Sequence, residues 1–339
     1  MMTIKMPSTK NLGTHLAALT ASCFLLTFLL TGCQPETVTQ LAVPPATQGF
    51  QLHVPAFDVA SGDEVQACYF FAVPGNPTEE VWVNRYEMAQ AIGSHHMNVF
   101  RVNTIKNLTG VPGGPPVVSK NGMGECFVSS NWSDWPLVTN SQQDSLTDWK
   151  LPATVAAKFH GGELLMLQTH FVNASTQKTP KKAEVSVNFW TTPPQPNELG
   201  TLFATNQNIR ICPGDTNASF TKTCNFTKDA VHVVAANGHF HSRGKLFEMF
   251  STAANGDVGT KFYTSTSWDD PPMMRDFTDD LPAGGGVQWK CTFDFPTGAC
   301  GDPNNACCYT FGGKVETQEH CNAFVYYWPK AQPADVNCF

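Results

Sequence analysis

The chain has 339 residues, 42% hydrophobic and only 14% charged, with a formal net charge of −7. That balance excludes a disordered chain and argues against a broad nucleic-acid-binding surface. The 26 glycines, 24 prolines and 24 phenylalanines suit short strands and turns, and the 12 cysteines speak against a reducing cytosol.

Lys5 and Lys10 precede an apolar stretch at 16–30, which ends in Leu30-Thr31-Gly32-Cys33. A basic start, a short apolar run and a small-residue exit predict a signal peptide over 1–32. The Leu-Thr-Gly-Cys ending resembles a bacterial lipobox, which implies lipidation of Cys33 and a mature N-terminus there. The expected location is outside the cytoplasm, on a bacterial membrane through the lipid alone, with the outer membrane as the favoured one. Residues 33–49 carry one charge, Glu36, and predict a tether.

Alternating or β-rich runs follow at 81–86, 96–102, 164–172, 185–190, 231–240, 246–250 and 324–328. Turn clusters such as Pro112-Gly113-Gly114-Pro115 separate them, and 87–92 is the one place read as a helical turn. Short strands between turns predict an all-β fold, sandwich or barrel. Pro193, Pro194 and Pro196 cannot continue a strand ladder, so the boundary between domains 50–192 and 193–339 is placed there. Apart from Cys23 and Cys33, ten cysteines remain, which allows up to five disulfides. A thiolate metal cluster is the rival reading, but adjacent Cys307 and Cys308 lack the C-x-x-C spacing of a zinc ribbon.

Six histidines carry the candidate chemistry. His95-His96-Met97 opens one β-like run, His170 lies inside another, His239-Phe240-His241 ends a third, and His320 precedes a fourth. In a strand, His-x-His puts both imidazoles on one face. Adjacent His95 and His96 would point to opposite faces unless the backbone bulges. Imidazole donors suit copper, zinc, iron or nickel. Two spatially separate three-histidine sets, one on each side of the proline linker, are expected to bind two ions. Binding is expected to weaken as pH falls through the histidine range.

These motifs resemble the copper type II, ascorbate-dependent monooxygenases, the family that includes peptidylglycine α-hydroxylating and dopamine β-monooxygenases. The first family signature appears as His95-His96-Met97-Asn98-Val99-Phe100-Arg101-Val102, with Val102 in place of a Cys. The second appears from His232 to Gly244, with Val234 for Phe and Phe240 for Thr. The third is Leu167-Gln168-Thr169-His170. The resemblance implies two tandem antiparallel, jelly-roll-like β-sandwich domains of the nine-stranded type, each with one copper. His95, His96 and His170 match the electron-transfer site. His239 and His241 match two ligands of the oxygen-activating site. The family's third ligand there is a methionine in Glu-Met-Cys-Asn; this chain has Glu319-His320-Cys321-Asn322, so His320 replaces it.

Gln168 matches a residue that supports the first copper. Asn237, Asn322 and Phe324 match substrate-binding positions of the peptide-amidating branch, where the family has Arg, Asn and Tyr. With the cation and one hydroxyl gone, a peptide carboxylate would be poorly paired. Cys68–Cys126, Cys224–Cys338 and Cys291–Cys321 match family disulfides; the resemblance leaves Cys212, Cys300, Cys307 and Cys308 unpaired. The implied activity is hydroxylation of a C–H bond of a small-molecule or peptide substrate with O2 and an ascorbate-like reductant. The alternatives are a surface copper-binding lipoprotein without turnover and a carbohydrate- or partner-binding β-sandwich.

Overall fold

Strands follow one another almost without interruption in the structure, a computed structural model that describes residues 41–339 apart from 104–111, 121–134, 143–145, 175–177, 296, 299 and 332–334. The signal segment, Cys33 and Cys126 lie outside the described residues. Ten strands precede the proline linker: β1 Gly49–Val59, β2 Glu64–Ala72, β3 Glu80–Gln90, β4 Ser94–Arg101, β5 Val117–Lys120, β6 Leu137–Ser141, β7 Leu146–Lys150, β8 Val155–His160, β9 Leu164–Val172 and β10 Lys181–Thr192. The rest follow it: β11 Asn197–Glu198, β12 Gly200–Thr205, β13 Arg210–Ile211, β14 Ala218–Asn225, β15 Val231–His239, β16 Gly244–Thr252, β17 Val258–Ser265, β18 Met274–Leu281, β19 Gly286–Phe293, β20 Tyr309–Phe311, β21 Gln318–Glu319, β22 Asn322–Trp328 and β23 Val336–Cys338. Among the described residues the one helical piece is a single 3-10 turn, Pro303–Asn305. The fold is all-β, as the turn-separated pattern predicts.

Strand pairing respects the linker almost completely. Before it, β1-β10-β3-β8 (with β7 on β3) and β5-β2-β9-β4-β6 form two sheets. After it, β18-β15-β22-β12-β23 and β14-β19-β16-β17 form two more, with a small β13-β20-β21 sheet beside them. The exception is β11, which crosses back to pair in parallel with β8. The apolar cores are less segregated. Phe203, Val234, Phe324 and Tyr326 from the second half join the core of the first, and the described residues all belong to one compact unit.

One residue range corrects the sequence expectation. Residues 87–90 are the end of β3, not a helical turn, because Glu87, Met88, Ala89 and Gln90 pair with Asn188, Val187, Ser186 and Val185 of β10. The chain then turns at Gly93, whose φ of 99 favours glycine. Residues 41–48, placed in the tether from sequence, lie against the first sheet: Gln51 Nε2 donates to the Leu41 carbonyl at 3.0 Å and Asn188 Nδ2 to that of Ala42 at 2.9 Å.

Four described disulfides staple the second half. Cys224–Cys338 and Cys291–Cys321 are as the resemblance implies, and the remaining four pair as Cys212–Cys308 and Cys300–Cys307. The thiols are thereby committed to disulfides rather than to a metal. Cys68 is also disulfide-bonded.

Candidate metal centre

The geometry of the histidines begins with strand register. On β4, Ser94 lies opposite Phe171 of β9 and His96 opposite His170, so His95 is the extra residue of a bulge. The bulge resolves the problem of adjacent histidines. His95 and His96 stand with ring centroids 5.1 Å apart, and His170 completes the set at 5.2 and 4.9 Å. One ring nitrogen from each of the three lies within 4.8 Å of the others.

On the facing half, β15 delivers His239 as its last residue. Phe240 turns the other way and stacks on Phe247 at 5.9 Å in the second core. His241 returns to the side of His239, with ring centroids 5.2 Å apart. His320 lies just before β22, 4.3 Å from His241 and 5.3 Å from His239. Its neighbour Cys321 is fixed twice, by the disulfide to Cys291 and by its carbonyl, which accepts from Trp289 Nε1 at 3.1 Å.

The two sets are not spatially separate, as the sequence predicts, but adjoin. His239 lies 5.0 Å from His95 and 4.9 Å from His96. A second group with ligand atoms within 4.8 Å of one another is His95, His239 and His241, so His95 belongs to both sets. The reason is the stacking of sheets: β15, β22 and β12 pack one face on their own sandwich and the other on the sheet of β9, β4 and β6. Asn140 Nδ2 donates to Asn237 Oδ1 at 3.2 Å, and Tyr326 Oη donates to Asn140 Oδ1 at 2.5 Å across this junction.

The donor nitrogens suit a metal ion. His95 Nε2, His96 Nδ1, His170 Nδ1, His239 Nδ1 and Nε2, His241 Nε2 and His320 Nδ1 are buried with no hydrogen-bond partner. Buried polar atoms are almost always paired, and seven exceptions in one cluster indicate a missing partner common to them. Burial, and then the neighbouring imidazoles, hold His95, His96, His239 and His320 well below the ordinary histidine value; burial brings His241 down to about 4. All five are therefore neutral near pH 7, the form that ligates.

Two carboxylates absent from the sequence-based site stand beside the cluster. Glu64 meets His170. Glu319, fully buried, accepts from the main-chain N–H of His241 and of Arg243, each at 2.7 Å, and so shapes the turn after β15. Burial pushes its carboxyl up to about 8, against those main-chain donors, which favour the ionised form. Glu64 was not visible in sequence because its contact depends on a cross-strand neighbour; Glu319 stands in the motif beside His320, but its contacts with the main chain of His241 and Arg243 depend on the fold.

A small cavity of about 40 Å³ lies against the histidines, between the halves. Gln168, Asn322 and Phe324 line it; Asn237 does not, its side chain being turned to Asn140. Gln168 accepts from Asn98 Nδ2 at 3.0 Å on the same sheet face as His170 and His96. Phe324 lies flat on Phe203, 5.1 Å between centroids. A larger cleft of about 460 Å³ opens on another flank, between Glu64 and Trp268, and Trp268 stands 6.1 Å from His95.

No family profile matches the chain, and no curated protein matches it. Among solved structures, the VP2 subviral particle of infectious bursal disease virus aligns over 89% of this chain and 77% of its own, with 11% identity and a TM-score of 0.23. The tandem CBM22 domains of Paenibacillus barcinonensis Xyn10C align over 86% and 89%, with 10% identity and a TM-score of 0.19. Likenesses this slight say nothing about what the chain does; its histidine cluster, which could hold a metal ion, is what bears on its chemistry.

Proposed function

We propose that the protein is a copper-dependent monooxygenase that hydroxylates a C–H bond of a small-molecule or peptide substrate, using O2 and an external reductant such as ascorbate. The observation that supports this most is the convergence of six buried histidines whose donor nitrogens lack partners. An all-imidazole donor set suits copper and disfavours calcium or magnesium. His95, His96 and His170 would hold one ion, and His239 and His241 the other, with His320 as the third ligand that the resemblance implies and His95 close enough to take that place. Copper held there would supply one-electron chemistry with oxygen. The chain's own residues supply the rest: sheet register and the Cys291–Cys321 bridge fix the ligands, and the closely packed halves exclude bulk water. The cavity of about 40 Å³ takes a water or dioxygen but not a peptide, so a substrate would enter by way of the larger cleft or on parting of the halves.

That same tightness favours a second reading, a copper-binding lipoprotein that keeps the ligands without turnover. One experiment separates them. The copper-loaded protein, reduced without oxygen and then exposed to it, should couple oxygen loss to product from a panel of C–H substrates. Stoichiometric copper with no coupled oxygen loss would favour the second reading; copper near zero at neutral pH would sink both. The lipobox reading adds that Cys33→Ser, exported by an ordinary signal, should leave the membrane fraction and stay folded. Continued pelleting with membranes would count against it.

A further inference from the structure

We infer that Glu64 is a positioning residue of the metal centre: it holds His170 in the tautomer that leaves Nδ1 free to donate to a metal, and it ties that ligand to the opposite half of the chain. This rests on the metal-binding reading above. His170 Nε2 stands 2.8 Å from Glu64 Oε1, while His170 Nδ1 is buried without a partner. An ionised carboxylate can only accept, so Nε2 carries a proton, and in the form that ligates the lone pair falls on Nδ1. The side chains are 4% and 13% exposed, so the bond is shielded from water and salt.

Strand register builds this contact. On β2, Gln66 lies opposite His170 and Glu64 opposite Val172, which makes Glu64 the diagonal neighbour of His170 on the same sheet face. A carboxylate that accepts from a ligating imidazole fixes its ring and strengthens it as a donor. It also brings negative charge to a centre whose donors are otherwise neutral.

Glu64 reaches further. It also accepts from the main-chain N–H of Val315, in the loop between β20 and β21 of the second half. The carbonyl of Val315 accepts from Ser242 Oγ at 3.3 Å. The same loop leads to Gln318, whose carbonyl accepts from His241 Nδ1 at 2.9 Å and so leaves His241 Nε2 for a metal. One carboxylate therefore joins a ligand of the first set to the segment that orients a ligand of the second.

The test compares the wild type with Glu64→Ala and Glu64→Gln. Cu(II) affinity would be read by chelator competition, potential by spectroelectrochemistry, and the His170 tautomer of the metal-free protein by histidine 15N NMR. Glu64→Ala should weaken one of the two copper sites by about 10–100-fold and leave metal-free His170 as a mixture of tautomers. Glu64→Gln retains an accepting oxygen, so the tautomer should persist while loss of the charge raises the potential. A wild-type affinity and an unchanged His170 tautomer in Glu64→Ala would overturn the inference. Absence of copper from the wild type would overturn the metal reading separately, with the tautomer of metal-free His170 still deciding whether Glu64 governs it.

Discussion

Five imidazoles packed away from water resist protonation, and that has a sign. In the unfolded chain each titrates near 6.5; in the folded chain five are lowered, His241 to about 4. Below pH 6.5 the unfolded chain therefore binds more protons, and stability falls with pH by roughly 1.4 kcal/mol per unit for each such group until its folded value is reached. Glu319 acts in the opposite sense between 4.5 and about 8. The metal-free protein should show urea midpoints that decline from pH 7 to pH 5. Copper binding should persist below 6.5, contrary to the simple expectation from free imidazole, because burial keeps His95, His96, His239, His241 and His320 neutral there; dialysis at pH 7, 6 and 5 checks this. His320→Ala should weaken one copper site and leave the other nearly unchanged, and X-ray absorption of the reduced wild type should find nitrogen donors without sulfur. Met249 of β16 is fully buried in the second apolar core. The candidate histidines were legible in sequence, His95-His96 and His239-Phe240-His241 through local spacing and His170 and His320 through the family resemblance. Glu64 was not, because nothing along the chain marks the partner of His170.

Among the elements, β4, β9, β12, β15 and β22 show why alternation is a partial guide. Their residues are buried nearly end to end because both faces are covered, so polar side chains such as Asn98, Gln168 and Asn237 sit where a half-exposed strand would show solvent-facing positions. The seven β-rich runs all fall on strands. β1 escaped notice although Phe50, Leu52 and Val54 alternate with Gln51 and His53, and β14 did because its alternation is carried mostly by serine, threonine and lysine. The turn after β15 illustrates how tightly a motif can be bound to packing. A Cβ on Gly244 would come within 1.9 Å of the Phe240 ring, which itself lies between His239 and His241 in sequence. Gly244→Ala should therefore lower stability by about 1–3 kcal/mol, measured by denaturant unfolding, and weaken copper binding by displacing His241.

At the scale of the whole molecule, the proline linker marks where strand pairing changes partners, and that much was legible. The closeness of the halves was not, since it arises from side chains far apart in sequence. Arg101 of β4 donates from Nε to Asp335 at 3.0 Å and also pairs with Glu163. Asp335 further engages Lys330 at 3.2 Å and the main-chain N–H of Thr201 at 3.2 Å. With this buried network and a shared apolar core, calorimetry should record one cooperative transition rather than two. Asp335→Ala leaves Arg101 with one carboxylate partner fewer and Thr201 N–H without its side-chain acceptor, so it should cost about 2–4 kcal/mol. Two separate transitions in the wild type would contradict the shared core.

The bulge at His95 has a consequence for how such a centre could be gained or lost. A bulged residue is surplus to the ladder: with His95 deleted, Ser94 and His96 would become consecutive and still face Phe171 and His170. Everything from Met97 onward would keep its side. Deleting Asn98 instead would shift one flank of β4 by a residue and exchange its inward and outward faces. The His95 deletion should therefore yield a folded chain with a regular strand and without the imidazole that the two histidine groups share, while the Asn98 deletion should fail to fold. Insertion of a single codon at this point thus turns a regular β4–β9 pairing inside the sheet into half of a metal centre, and its removal reverses the change, with no other rearrangement of the strand.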